Sequence, residues 1–323
     1  MLRNLELSLC SFVVCQMMYK QVGLEKGESR VDCPEQWTVK RLAASLGAEI
    51  GNAELGKLEE SGAARIKELL LEHKVLFFPA QTISLEEHVM LGEHFGVIES
   101  HPNLKNPFIE HDKVFELAAS KGGIADEWHT DLTFMEEPSI MSVLHMVTCP
   151  EVGGDTMWTN LCQAYEELSE PIKDLCASVQ ALHDALPHNR SESMAVHPVV
   201  RIHPKTGEKA LYVNEHFTRR IVEMNSTESE VFLGYLTKWV QSPRFTVRYS
   251  WTPGTIAIWD NQCTQHFVLN DFEGERIIHR VTIMGDQPEG VGPVKYQPWI
   301  RTGNKSDTSR LDRQLKSFYR GQQ

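Results

Sequence analysis

The chain has 323 residues, 41% of them hydrophobic and 24% charged, and a formal net charge of −12. That is enough apolar material for a substantial core. The acidic balance, with no Lys/Arg run, argues against a nucleic-acid-binding face and leaves anion binding to a few arginines focused in one pocket. Seven cysteines at irregular spacing, with no C-x-x-C pair, read as reduced thiols of a cytoplasmic protein rather than a disulfide framework.

Residues 1–34 read as an N-terminal extension. Their apolar stretch, 7–18, is too short to span a bilayer as a helix and lacks a small-x-small cleavage site, so neither a membrane anchor nor a secretory leader is expected. Globular patterning starts near Trp37-Thr38-Val39. Ile66, Leu69 and Leu70 recur at helical spacing and predict a helix over 58–73. A buried strand follows at 75–78, limited by Pro79. Ser84 and Glu87 form a capping-box signature for a second helix, which Gly96 ends. Strands are expected at 128–134 and 140–147, and an N-cap near Asn160. A helix is expected with Ile172, Leu175, Cys176, Val179 and Leu182 on one apolar face. Segments 199–202 and 210–213 flank Pro204-Lys205-Thr206-Gly207 as a hairpin, and Thr227 with Glu230 marks the start of a helix running to Val240. Phe245, Val247, Tyr249 and Trp251 alternate as a half-buried strand does. Pro253-Gly254 turns the chain into a strand at 256–259, and the last strand is 276–284. The remainder, 291–323, is polar and reads as a tail. Many short strands with helices between them predict a mainly β domain over 35–290, a double-stranded β-helix of the jelly-roll, cupin-like kind.

The chemistry-bearing residues lie in that domain. His129 and Asp131 flank Thr130, and on a strand residues two apart share a face. With His266 from a distant strand they form two imidazoles and one carboxylate, a set that holds Fe(II) on one side and leaves the other open. An H-x-D tripeptide alone is weak in a chain with 14 histidines; His88, His94, His145 and His183 read as surface or satisfied core residues. Arg276, Ile278 and Arg280 share one face of the final strand, while Ile277, Val281 and Ile283 share the other as a core layer does. Two arginines on an apolar strand indicate either bound anions or a solvated edge and internal ion pairs. Thr156, after Gly153-Gly154-Asp155, is either a carboxylate-binding hydroxyl or a plain turn residue.

Taken in order, Trp128-His129-Thr130-Asp131, Gly153-Gly154-Asp155-Thr156-Met157-Trp158, Trp259-Asp260-Asn261 leading to Thr264-Gln265-His266, and Arg276 to His279-Arg280-Val281-Thr282 resemble the taurine dioxygenase family of Fe(II)- and 2-oxoglutarate-dependent oxygenases. The resemblance implies that His129, Asp131 and His266 bind iron. It implies that Thr156 and Arg276 hold the distal carboxylate of the cosubstrate 2-oxoglutarate. Arg280, His101 and Phe217 are implied to meet the substrate. Leu104 and Ala125 depart from the tyrosine and asparagine of taurine-specific members, at the positions that recognise the amine. The expected activity is therefore dioxygenation, with O2 consumed, of a small anionic compound: a sulfonate, an alkyl sulfate or a carboxylate. Succinate and CO2 are the coproducts, and sulfite or sulfate is released where the hydroxylated carbon carries it. A zinc hydrolase on the same three ligands is the competing chemistry. No nucleic-acid or membrane partner is expected, and homo-oligomerisation stays open.

Overall fold

The computed structural model describes residues 34–99, 112–122, 125–300 and 310–321. Strands β1 (Thr38–Arg41) and β2 (Ala48–Gly51) precede helix α1 (Glu60–His73), β3 (Val75–Phe78), α2 (Leu85–Glu93), β4 (Ile98–Glu99) and β5 (Phe115–Ala118). Then come β6 (Ser139–Thr148), β7 (Thr156–Asn160), α3 (Leu161–Glu166), α4 (Glu170–Cys176), β8 (Gln180–Ala185), β9 (Arg190–Pro198), β10 (Val200–Ile202), β11 (Lys209–Leu211) and β12 (Thr218–Ile221). The chain continues through α5 (Ser226–Val240), β13 (Thr246–Tyr249), β14 (Ile256–Asp260), β15 (Thr264–Val268), β16 (Ile277–Met284) and α6 (Arg310–Gly321). The architecture is mixed α/β with several sheets. An eight-stranded sheet runs β1-β2-β3-β14-β6-β16-β4, with β5 also on β16. Three-stranded sheets β13-β7-β15 and β12-β8-β9 and the hairpin β10-β11 accompany it. Among the described residues no helix is long and apolar enough to cross a membrane.

The large sheet has two apolar faces. Leu76, Phe78, Ile256, Ile258, Val143, Val281 and Ile283 pack under α1 and α2 against Ile66, Leu69, Leu70 and Leu91. The alternate residues Val75, Phe77, Ala257, Trp259, Leu144, Met146 and Ile278 face Trp158, Val247 and Tyr249 of the β13-β7-β15 sheet. A strand buried on both sides needs a continuous apolar run, which is why Val75-Leu76-Phe77-Phe78 carries no polar residue. Aromatic contacts stiffen the inner layer. Phe77 stacks on Tyr249 at 3.8 Å between centroids, and Trp158 meets Phe77 and Trp259 edge-on at 5.1 and 5.8 Å.

Several local expectations hold. Ser84 and Glu87 close a complete capping box on α2, Asn160 caps α3 through Cys162 N and Gln163 N, and β10 pairs with β11. Others are corrected. The apolar 172–182 segment is not one helix. Glu170–Cys176 is helical, whereas Leu182 lies on strand β8. Apolar residues at helical spacing across a break cannot be told from a helix followed by a buried strand. Helix α5 starts at Ser226, and its cap is Asn225 with Glu228, not Thr227 with Glu230. Ile277, grouped with Val281 and Ile283 as core, is only half-buried, beside a register shift in the β16–β6 pairing. The polar tail contains α6, whose Leu315 is fully buried against Leu182 and Val222. Buried Arg220 binds Asp312 of α6 at 2.5 Å. A 12-residue helix with few apolar residues shows as polar composition because one face carries all of its burial.

Two stability predictions result. Leu315→Ala should cost about 2–5 kcal/mol in denaturant unfolding if α6 is integral to the fold. Asn225→Ala should cost about 1 kcal/mol, and Thr227→Ala less than about 0.5 kcal/mol.

Candidate metal centre and anion-binding pocket

His129 does not sit on a long strand as expected. It forms an isolated bridge with His266, with His129 N to His266 O at 3.1 Å and His266 N to His129 O at 2.8 Å. Thr130 locks the crossing by donating its hydroxyl to Thr264 O at 2.7 Å. The chain then turns, with Leu132 in the left-handed region at φ +58°. Asp131 is thus delivered by a turn rather than by strand alternation. A leucine in that conformation is held by its surroundings, and such strain concentrates at functional sites. His266 is fixed differently, on β15 opposite Trp158 of β7.

The ligand atoms of His129, Asp131 and His266 lie within 4.8 Å of one another, and all three residues are buried. His129 Nε2 is 3.8 Å from Asp131 Oδ1, and the two imidazole rings are 4.0 Å apart. His129 Nδ1 contacts Glu127 O at 2.7 Å; since a carbonyl only accepts, Nδ1 carries the proton and the Nε2 lone pair faces the carboxylate. Trp259 and Trp158 pack on the His266 ring at 4.8 and 6.4 Å. Burial pushes His129 down to about 4 against the pull of Asp131, and pushes His266 well below its ordinary value. Both rings are then neutral near pH 7, as metal ligation requires. Burial pushes the Asp131 carboxyl up, but Arg280, His266, His129 and the Ser142 hydroxyl together hold it well below the usual carboxylate range. Two neutral imidazoles and an ionised carboxylate fit a ferrous ion.

A second cluster, His203, Asp260 and Cys263, is also compact and buried. It is structural. His203 Nδ1 accepts the amides of Lys205 and Thr206 at 3.2 and 3.1 Å, so Nε2 carries the proton and donates to Asp260 Oδ2 at 2.8 Å. Asp260 Oδ1 accepts Gln262 N at 2.7 Å. No imidazole lone pair remains for a metal.

Both arginines are buried, which removes the solvated-edge reading; Arg280 is on β16, Arg276 immediately precedes it, and they differ in their partners. Arg280 Nη1 donates to Asp131 Oδ1 at 2.8 Å and its guanidinium lies 5.6 Å from the Phe115 ring. Arg276 donates to Gly154 O at 3.2 Å and Thr156 Oγ1 at 3.3 Å, and Trp251 Nε1 donates to the same hydroxyl at 2.9 Å. Among the described residues Arg276 has no carboxylate partner, and burial pushes it down to about 10. Its partner Thr156 lies on β7, two residues from Trp158, which stands opposite His266 on β15.

A cavity of about 880 Å³ opens onto this centre. His129, Asp131, Phe217 and Arg280 line it, with Phe115, Leu117, Leu132 and Leu186 as further walls. Thr156, Arg276 and His266 are not in its lining. Phe217 is placed by Asn214, whose Oδ1 accepts Phe217 N at 2.8 Å. His101 and Leu104 lie outside the described residues, whereas Ala125 is in the wall. Sequence reading missed Glu127, whose carbonyl sets the His129 tautomer and whose carboxylate meets His216 at 2.6 Å. It also missed Ser142, which donates to Asp131 Oδ2 at 2.9 Å, since a serine on an apolar strand carries no local signal. Of His88, His94, His145 and His183, the two buried ones make core contacts, His88 with Val143 O and His183 with Thr133 Oγ1, although His183 Nε2 finds no hydrogen-bond partner among the described residues.

Comparison with known proteins agrees with this arrangement. The family model for taurine catabolism dioxygenase TauD, TfdA family, matches residues 38–282. An alkylsulfatase of Acinetobacter baylyi is 34% identical over 285 residues, covering 81% of this chain and 89% of that protein. An alpha-ketoglutarate-dependent sulfate ester dioxygenase of Pseudomonas putida is 35% identical over 278 residues, covering 78% and 91%. The crystal structure of a taurine dioxygenase from Burkholderia xenovorans superposes with a TM-score of 0.72 at 36% identity, covering 79% of this chain and 93% of that one. With its buried His/Asp/His set and a family match across most of its length, the chain belongs to the TauD/TfdA family of alpha-ketoglutarate-dependent dioxygenases.

Proposed function

We propose that the protein is an Fe(II)- and 2-oxoglutarate-dependent dioxygenase that hydroxylates an organic sulfate ester or sulfonate carrying an apolar chain. The observation that carries the cosubstrate reading is Arg276. A buried guanidinium bonded only to neutral oxygens is costly unless an anion joins it. Its planar fork, with the Thr156 hydroxyl alongside, matches a carboxylate, and Thr156 lies on β7, the strand paired with the one that carries His266. His129, Asp131 and His266 hold the iron in this reading. Bound iron and 2-oxoglutarate supply the oxidising chemistry, in which O2 is consumed, succinate and CO2 form, and a substrate C–H becomes C–OH. The two sheets that share the aromatic inner layer are read as the double-stranded β-helix.

The protein's own residues bind and orient. Arg280, on the cavity wall beside Asp131, receives the substrate's anionic group. Phe217 and the apolar walls take the carbon chain and exclude water from the reacting carbon. His101 is assigned to the same anionic group by the family pattern alone. A cavity of about 880 Å³ with Ala125 in its wall is larger than a two-carbon aminosulfonate needs. The relatives named as an alkylsulfatase and a sulfate ester dioxygenase favour the sulfate ester. Hydroxylation of the carbon next to the ester oxygen gives a product that collapses to an aldehyde and sulfate. The free thiols Cys149, Cys162, Cys176 and Cys263 suit a reducing, cytoplasmic setting.

The test is anaerobic loading with Fe(II) and 2-oxoglutarate, then oxygen with linear alkyl sulfates of rising chain length, alkyl sulfonates, carboxylates and taurine, scored by succinate. Turnover should rise with chain length and be poorest for taurine; taurine as the preferred substrate, or no substrate-dependent succinate from any compound, refutes the proposal. Asp131→Ala should abolish succinate formation while the unfolding midpoint persists. Arg276→Ala should raise the 2-oxoglutarate concentration for half-maximal rate by roughly 10–150-fold, the equivalent of about 1.5–3 kcal/mol for a charge-assisted hydrogen bond. Arg280→Ala should raise the half-saturating alkyl sulfate concentration and leave that of 2-oxoglutarate near its original value.

A further inference from the structure

We propose that Ser142 and Asn261 are positioning residues that restrict Asp131 to one ligand oxygen and so keep a metal position open for O2. The inference rests on the assignment of His129, Asp131 and His266 as iron ligands and extends it to residues that touch no ligand.

The two oxygens of Asp131 have different surroundings. Oδ1 faces His129 Nε2 at 3.8 Å and accepts the charged Arg280 Nη1 at 2.8 Å. Oδ2 accepts the neutral Ser142 hydroxyl at 2.9 Å and lies 3.4 Å from Asn261 Nδ2. The Asn261 amide cannot flip. Trp259 Nε1, a donor only, holds its Oδ1 at 2.9 Å, so Nδ2 points at Ser142 Oγ (3.0 Å) and Ser139 Oγ (2.9 Å). Because Ser142 Oγ accepts from Asn261, its single proton is left for Asp131. The bonds thus run one way, from Trp259 to Asn261 and from Asn261 through Ser142 to Asp131, and each polarises the next.

This relay is anchored in the centre of the large sheet. Ser142 and Asn261 are fully buried. Ser142 is on β6 opposite Trp259 of β14, and Asn261 N donates to Ile140 O at 2.9 Å. Asp131, by contrast, sits on a turn next to a left-handed leucine. The turn sets where the carboxylate is, and the two central strands set how it is rotated.

The coordination chemistry gives the rotation its meaning. On a bound six-coordinate ferrous ion, two imidazoles and one carboxylate oxygen would take three positions and a chelating keto acid two more. One position would be left for O2, and a second oxygen from Asp131 would fill it. Donors held on Oδ2 disfavour that rotation. They are neutral, so the carboxylate keeps its charge for the metal.

The test uses Ser142→Ala, Asn261→Ala and the hydroxyl-retaining Ser142→Thr, with Ser229→Ala as a control for loss of a buried serine hydroxyl far from the site. Anaerobic Fe(II) titration of the 2-oxoglutarate-loaded protein is followed by the charge-transfer absorption of the ferrous keto-acid complex, and O2-dependent decay of that absorption is timed at saturating metal, cosubstrate and alkyl sulfate. Ser142→Ala and Asn261→Ala should bind Fe(II) roughly 10–100-fold more weakly, as outer-sphere variants do. Both should show a shifted band and slowed decay once saturated, Ser142→Thr should recover most of the loss, and Ser229→Ala should match the parent protein. Parent-like affinity, band and decay in both Ser142→Ala and Asn261→Ala overturn the inference while leaving the iron site standing. Absence of the band in the parent protein removes the iron reading itself.

Discussion

The structure depends on keeping one carboxylate charged in a buried place. Asp131 is 4% exposed, and isolation from water alone would drive it to take up a proton. Arg280, the two flanking imidazoles and the Ser142 hydroxyl reverse that outcome. Each of these groups comes from a different part of the chain: a final strand, an isolated bridge, a second strand and the centre of the large sheet. The ionised carboxylate is therefore a property of the assembled domain, and the neutral histidines beside it are a consequence of the same burial.

The large sheet makes that assembly possible because it is apolar on both faces. The outer face is closed by α1 and α2, so the inner face is free to meet the small sheet across Trp158, Trp259 and Phe77. His266 is embedded in this aromatic layer rather than in a loop, and its ring has little freedom to turn. His129 gains comparable order from its paired backbone bonds to His266 and from the Glu127 carbonyl. The centre is preorganised by packing on one side and by hydrogen bonding on the other.

Strand β16 distributes charge by the same logic. Its alternate residues Val281 and Ile283 enter the outer core, while Ile278 enters the inner layer and Arg280 reaches the cavity wall. Arg276, four residues back from Arg280, reaches Thr156 at the start of β7. One segment thereby presents two cations with different neighbours, one set against a carboxylate and one, among the described residues, against neutral oxygens. An acidic protein can bind anions this way because local geometry outweighs net charge at short range.

Much of this was legible in the amino-acid sequence. Period-two alternation placed Arg280 with Ile278 and apart from Val281, because side-chain direction on a strand is a local property. The capping box at Ser84 and the cap at Asn160 were legible for the same reason, and the four ordered motifs carried the family and its ligand set. What lay beyond reach were features made by contacts distant in sequence. The 128–134 segment reads as a strand, yet among the described residues its one ladder partner is His266, more than a hundred residues on, and it turns at Leu132. The polar stretch after 291 hides a helix because Leu315 acquires meaning only against Leu182 and Val222. Ser142 looks like an ordinary polar residue, and Asn261 like a motif position without a role, until the central strands bring them to Asp131. Sequence determines which groups are present and which face of an element they occupy; only tertiary packing decides which of them are desolvated together, and desolvation is what converts those groups into a site.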